Sequence, residues 1–130
     1  MNELLALHRY YIWANRLREH FDNAIAMVPT SVRPEQIFFD DRGLFLSHWY
    51  AALYVVVEGW QELQLTDPEI NPLLTSANLD LLRRFRNGVC HYQRNYSDPR
   101  FLDLAQAQGV VPWVRQLNSS LGRYFLEKLG

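Results

Sequence analysis

Apolar side chains step along this chain by three or four residues, and that spacing limits most of it to helices. Leu7, Tyr11, Ala14, Leu17, Phe21, Ala24 and Val28 form one continuous stripe, the mark of a helix with one buried face. It should run from about Asn2 to Val28. The segment "VPTSVRP", Val28 to Pro34, is expected to end it, because prolines break helices and bias their predecessors away from helical backbone. A second long helix is expected from about Pro34 to Leu65, with Gly43 as its weak point. Phe45, Trp49, Ala52, Val56, Gly59 and Leu63 mark its inner face. Its middle is apolar nearly all round, which places it centrally.

"TDPEINPLLTS", Thr66 to Ser76, reads as a loop, with two prolines and several turn formers. A third helix is expected from Ser76 or Ala77 to about Asn95. "SDP", Ser97 to Pro99, should start a short helix reaching about Gln106, with Gly109 ending it. Pro112 suits the first turn of a last helix that closes near Leu129. No internal repeat, low-complexity tract or alternating strand pattern competes with this reading. The fold class expected is all-α, a four- to five-helix, mostly up-and-down bundle, in a single domain over residues 1–130.

Composition narrows the function classes. Hydrophobic residues make up 48% and charged residues 21% of the chain, which excludes a disordered protein. A net charge of −1 argues against a surface coated in cations for bulk nucleic-acid binding. The start, "MNELLALHRYY", meets Glu3, His8 and Arg9 too early for a signal peptide. The longest apolar run, Trp49 to Val57, is about half a membrane span, so no membrane association is expected. Cys90 is the lone cysteine and cannot form an internal disulfide, which fits a reducing cytoplasm. It is expected to pack as a small buried hydrophobe.

The cations are unevenly placed. All are arginine except Lys128, and "LLRRFRNGVCHYQRNY", Leu81 to Tyr96, gathers Arg83, Arg84, Arg86 and Arg94 around His91. A solvated helix face is the plain reading of such a run. The alternative is a site, because Arg offers a planar fork of donors for phosphate or carboxylate. His is the side chain whose ordinary pKa allows either proton-transfer role near neutrality.

Within that run, "RNGVCH", Arg86 to His91, resembles the signature of the HEPN superfamily: an Arg, a polar residue after it, and a His a few positions on, carried on a late helix of a small bundle. "LYVVVEGWQEL", Leu53 to Leu63, is similar to the second helix of bacterial HEPN-like proteins. Together the two stretches cover about a third of the chain. The resemblance implies a metal-independent endoribonuclease, a hydrolase of the toxin or defence kind, with RNA as substrate and an antitoxin protein as a partner. His91 would serve as general base or acid and Arg86 as phosphate clamp. Asn87 would bind phosphate or orient His91, and the product would be a 2′,3′-cyclic phosphate. It implies no metal and no cofactor. Some HEPN toxins carry a modifiable Tyr two places after the His. Here that place is Gln93 and the tyrosine is the adjacent Tyr92, a departure from that pattern.

On an ideal helix Asn87 and His91 share a face, about 40° apart, whereas Arg86 and His91 diverge by about 140°. Arg86 bends round, Gly88 lets the helix deform, or a second subunit completes the cleft. The resemblance implies the last, a homodimer with two motifs face to face. Glu58 sits beside a buried run and should pair with Arg83, Arg84 or Arg86, in a structural role that positions an arginine. Arg83 and Arg84 are otherwise electrostatic setting. Tyr92, Gln93 and Arg94 are candidates for RNA contact, with Tyr92 equally suited to the core. Gly59 is expected to permit close helix packing.

Two rival readings remain at this stage. "HRYYIWANRL" and "LSHWY" are similar to segments of DinB-like helical metalloproteins, and His8, His48 and His91 lie on three different expected helices, so a shared metal is conceivable. A non-catalytic HEPN-like module for nucleotide binding or assembly is the other.

Overall fold

The structure, a computed structural model, describes residues 1–28 and 40–130. Among these residues there are six helices and no strand: α1 (Asn2–Ala26), α2 (Asp41–Glu62), α3 (Ile70–Leu73), α4 (Asn78–Cys90), α5 (Pro99–Gln106) and α6 (Val110–Leu129). The chain is an all-α bundle, as its periodicity indicates. The expected break over residues 29–34 and the expected start of the second helix at Pro34 lie outside the described residues.

Local chemistry explains where the helices begin. Asp40 is extended (φ −131°) and its carboxylate accepts the Arg42 amide N–H at 2.9 Å, an N-cap that satisfies one orphan donor of α2. Asp98 does the same for α5, accepting the Arg100 N–H at 2.9 Å, with Pro99 at the first helical position. Gly109 adopts a left-handed φ of 81° immediately before α6, a conformation that favours glycine. Pro112 occupies the first turn of α6, as its sequence position suggests.

The extra helix, α3, arises inside the segment read as a loop. Asp67 accepts backbone N–H bonds from Glu69 at 2.9 Å and Ile70 at 3.0 Å, while Ile70 is fully buried. The Trp113 indole donates to the Leu73 carbonyl at 3.0 Å, fastening α3 to α6. Turn-forming composition hid a helical turn that capping and one buried isoleucine stabilise.

α2 is the centre of the bundle, packed against α1 on one side and α4 on the other. Trp49, Tyr50, Leu53, Val56, Val57 and Trp60 on it are all at most 2% exposed, each such burial contributing roughly 1.5–3 kcal/mol. A methyl group at Gly59 would overlap the Leu7 side chain of α1, so this glycine sets the close approach of the two helices.

A polar thread runs through the core. The Trp49 indole donates to the Asn118 carboxamide oxygen at 2.9 Å, and the Asn118 amide donates to Asn15 Oδ1 at 3.0 Å, joining α2, α6 and α1. At its outer end Asp22 takes Arg115 at 2.6 Å and Arg18 at 2.8 Å. No described helix is long and apolar enough to cross a membrane.

Candidate site at the end of α4

α4 is shorter than its sequence pattern suggests. It stops at Cys90 instead of continuing to about Asn95, and His91 is extended (φ −128°, ψ 130°). α5 provides the reason. A Cβ at Gly88 would lie 3.0 Å from the Phe101 ring and 3.2 Å from Arg100 Cβ, so α5 folds back directly over the last turn of α4. The Gly88 position serves that close approach, and the helix runs through it undeformed. His91 has left the helix, so the ideal-helix angle between Arg86 and His91 does not describe the folded chain.

Most of the clustered arginines are committed to carboxylates. Arg83 pairs with Asp80 at 2.7 Å within α4, and Arg84 pairs with Asp103 of α5 at 2.6 Å. Arg86 is the one that meets Glu58, NH1 to Oε1 at 2.7 Å. The Glu58 side chain is 48% exposed and that of Arg86 23%, so the pair lies at the surface of the bundle. Arg86 is further held by Tyr54, whose ring centre is 4.9 Å from the guanidinium carbon, a cation–π contact. Burial pushes the Tyr54 phenol up, Glu58 adds to the rise, and Arg86 and Arg83 oppose it.

Asn87 connects the motif. Its side-chain oxygen accepts the Arg86 Nε–H at 3.0 Å. Its backbone carbonyl accepts the His91 amide N–H at 3.1 Å, the last hydrogen bond of the helix. The side chain therefore orients Arg86, and the main chain places His91. No direct contact joins Arg86 to His91: Arg86 faces Tyr54 and Glu58 of α2, whereas His91 borders a hollow beside α5.

That hollow encloses about 420 Å³. Among the described residues its walls come from three places: Ser47 of α2, the Gly88–His91 end of α4, and the following loop with Phe101 and Leu102 of α5. Phe101 packs edge-to-face on Phe85, centroids 5.8 Å apart at 89°. Sequence reading missed Ser47, Phe101 and Leu102, which lie outside the Arg86–His91 motif. The nearest signal was the apolar pair following "SDP".

Two expectations need correction. Cys90 is exposed, because the helix ends there with its side chain toward solvent. Tyr92 is 91% exposed and is no core residue. Gln93, on the lining of the hollow, also braces the loop: its amide donates to the His91 carbonyl at 2.9 Å and its oxygen accepts from Arg100 at 3.0 Å. Arg94 is exposed and pairs with no carboxylate among the described residues. Among the described residues, no three His, Cys, Asp or Glu side chains are grouped so that they could hold a metal ion. His8 packs against Phe125 in a tilted arrangement, centroids 5.1 Å apart at 33°, and does not converge with His48 and His91.

Comparison with known protein families, curated proteins and solved structures finds no match to this chain.

Proposed function

We propose that this chain is a metal-independent endoribonuclease of HEPN type, of the toxin or defence kind, acting as a homodimer. The observation that carries the proposal is the Asn87 link. It joins a guanidinium held on two sides with an exposed histidine at a helix end, in the order Arg86, Asn87, His91. Preorganised cations and a titratable imidazole are what RNA cleavage without a metal requires.

In this reading His91 takes the proton of a ribose 2′-hydroxyl, and the 2′-oxygen attacks phosphorus. The bond from phosphorus to the 5′-oxygen breaks, and that oxygen receives a proton from the second copy's imidazole. Arg86 stabilises the charge on the phosphorane oxygens. The products are a 2′,3′-cyclic phosphate and a 5′-hydroxyl. Arg86 and His91 make no contact within one chain, which favours the dimer in this reading, where a second copy would bring an Arg86 toward each His91. Glu58 and Tyr54 act as positioning residues for Arg86.

The test is cleavage of RNA by the purified protein in the presence of EDTA. His91→Ala and Arg86→Ala are each expected to abolish cleavage while keeping the helical signal and melting temperature. Sedimentation is expected to give twice the chain mass. Cleavage that chelator removes, or that persists in His91→Ala, would overturn the reading.

A further inference from the structure

We infer that the hollow beside His91 is a seat for one unpaired nucleobase, which makes single-stranded RNA the substrate class. The inference rests on the ribonuclease reading for its biological meaning, but the seat itself follows from the structure.

Its size comes first. About 420 Å³ falls within the roughly 300–1,000 Å³ typical of small-molecule sites and suits one planar heterocycle. Its lining is largely apolar and aromatic: Phe101 and Leu102 on one side, Tyr92 and Tyr96 at the rim. Tyr92 and Tyr96 are 91% and 70% exposed, so aromatic faces are presented to solvent at the mouth. Unpaired bases are bound by stacking on such faces.

Polar edges come next. Asn95 uses its side-chain oxygen to accept the Ser97 amide N–H at 3.0 Å, and its NH₂ group remains a donor at the lining of the hollow. Ser47 and His91 border the same space. A base edge supplies both donors and acceptors to these groups, which a purely apolar guest does not. Arg94 lies between two lining residues, Gln93 and Asn95, and has no carboxylate among the described residues. A nucleotide brings the anion that this guanidinium lacks.

Duplex RNA cannot use the seat, because its bases are stacked and paired. A base held here lies next to the imidazole of His91, so a flexible single strand would be anchored at the reacting residue.

The experiment uses the full-length chain carrying His91→Ala, so that RNA stays intact. Adenosine 5′-monophosphate, an eight-nucleotide single strand and a matched duplex are titrated by calorimetry and by heteronuclear NMR. Saturable binding of the mononucleotide, with shifts confined to residues 88–102 and Ser47, is expected. The single strand is expected to bind more tightly than the duplex. Ser47→Phe, which fills the seat, and Tyr92→Ala, at an exposed position that leaves folding intact, should each weaken mononucleotide binding roughly tenfold or more.

Equal affinity for duplex and single strand, or undiminished binding in both variants, would overturn the seat. So would displacement of the mononucleotide by an apolar peptide that occupies the hollow more tightly. Failure of the two readings is separable. Mononucleotide binding at these residues without any RNA cleavage by the wild-type chain keeps the seat and removes the ribonuclease. Undiminished cleavage of single strands by Ser47→Phe does the reverse.

Discussion

Arg86 and Glu58 meet at 2.7 Å across α4 and α2, and this pair aims the one arginine of the cluster that also stacks on Tyr54. The neighbouring Arg83 and Arg84 find their carboxylates elsewhere. What distinguishes Arg86 is therefore its partners, since all three share one helix.

Because the Glu58 carboxylate is about half exposed, the pair contributes at most about 1 kcal/mol. Glu58→Gln is expected to shift the urea unfolding free energy by less than that. In the proposed ribonuclease its effect on cleavage should be larger, about a tenfold fall in rate, because a misaimed clamp loses orientation. An unchanged rate would remove Glu58 from the site.

Cys90 stands at the exposed end of α4. A disulfide reagent added to the folded protein is expected to modify one thiol per chain within minutes, without denaturant. Protection until unfolding would contradict the exposed position.

A methyl group at Gly59 would overlap the Leu7 side chain. Gly59→Ala alone should cost about 1–3 kcal/mol through overpacking, and Leu7→Ala alone about 2–5 kcal/mol through the cavity it leaves. The double variant is expected to lose less than the two together, since each change relieves the other. Simple additivity in denaturant titrations would show that the two helices do not touch there.

Asn118 is 2% exposed and serves Trp49 as acceptor and Asn15 through its donor. Asn118→Ala leaves the indole N–H buried without a partner and should cost about 1–3 kcal/mol. Pairing the change with Trp49→Phe should recover part of that loss, which a double-mutant cycle reads directly.

Acid and alkali act on different groups. The hydrogen bond from Arg115, against some burial and with help from Arg18, holds Asp22 below its usual 3.8. Below about pH 5 the unfolded chain therefore binds the proton more readily, and stability falls as pH drops. Asp22→Asn should flatten that slope. Burial pushes the Tyr50 phenol up to about 12, with Arg115 opposing. Between about pH 10 and 12 the unfolded chain ionises while the folded one does not, so stability falls as pH rises. An ultraviolet tyrosine titration should show this late group, and Tyr50→Phe should remove it.

The long helices and the centrality of α2 were legible because burial imposes a period, whereas the short α3 was not. The stripe through Leu7, Tyr11, Ala14 and Phe21 is buried, and the apolar middle of α2 lies at the centre. The end of α4 was not legible: nothing in "NGVCHYQRN" is an obligatory stop, and the break depends on Phe101 arriving over Gly88. The Glu58 pairing was foreseeable as a choice among three arginines, and only the relative rotation of α2 and α4 selects Arg86. The hollow was invisible for the same reason. Ser47 and Phe101 are fifty-four positions apart, and no local pattern marks residues that meet only through tertiary packing.

Four of the five arginines between Leu79 and Arg100 already face a carboxylate: Asp80, Asp103, Glu58 and Asp98. A polyanion approaching this surface thus displaces internal partners more than it releases condensed counterions. Of these five, Arg94 alone has no carboxylate partner among the described residues. For single-stranded RNA each neutralised phosphate contributes about −0.7 to the slope of log affinity against log salt. In the proposed ribonuclease, Arg94 and the Arg86 clamp would give a shallow salt dependence, near two phosphates per chain, and the protein would discriminate by shape where a basic-coated protein relies on charge.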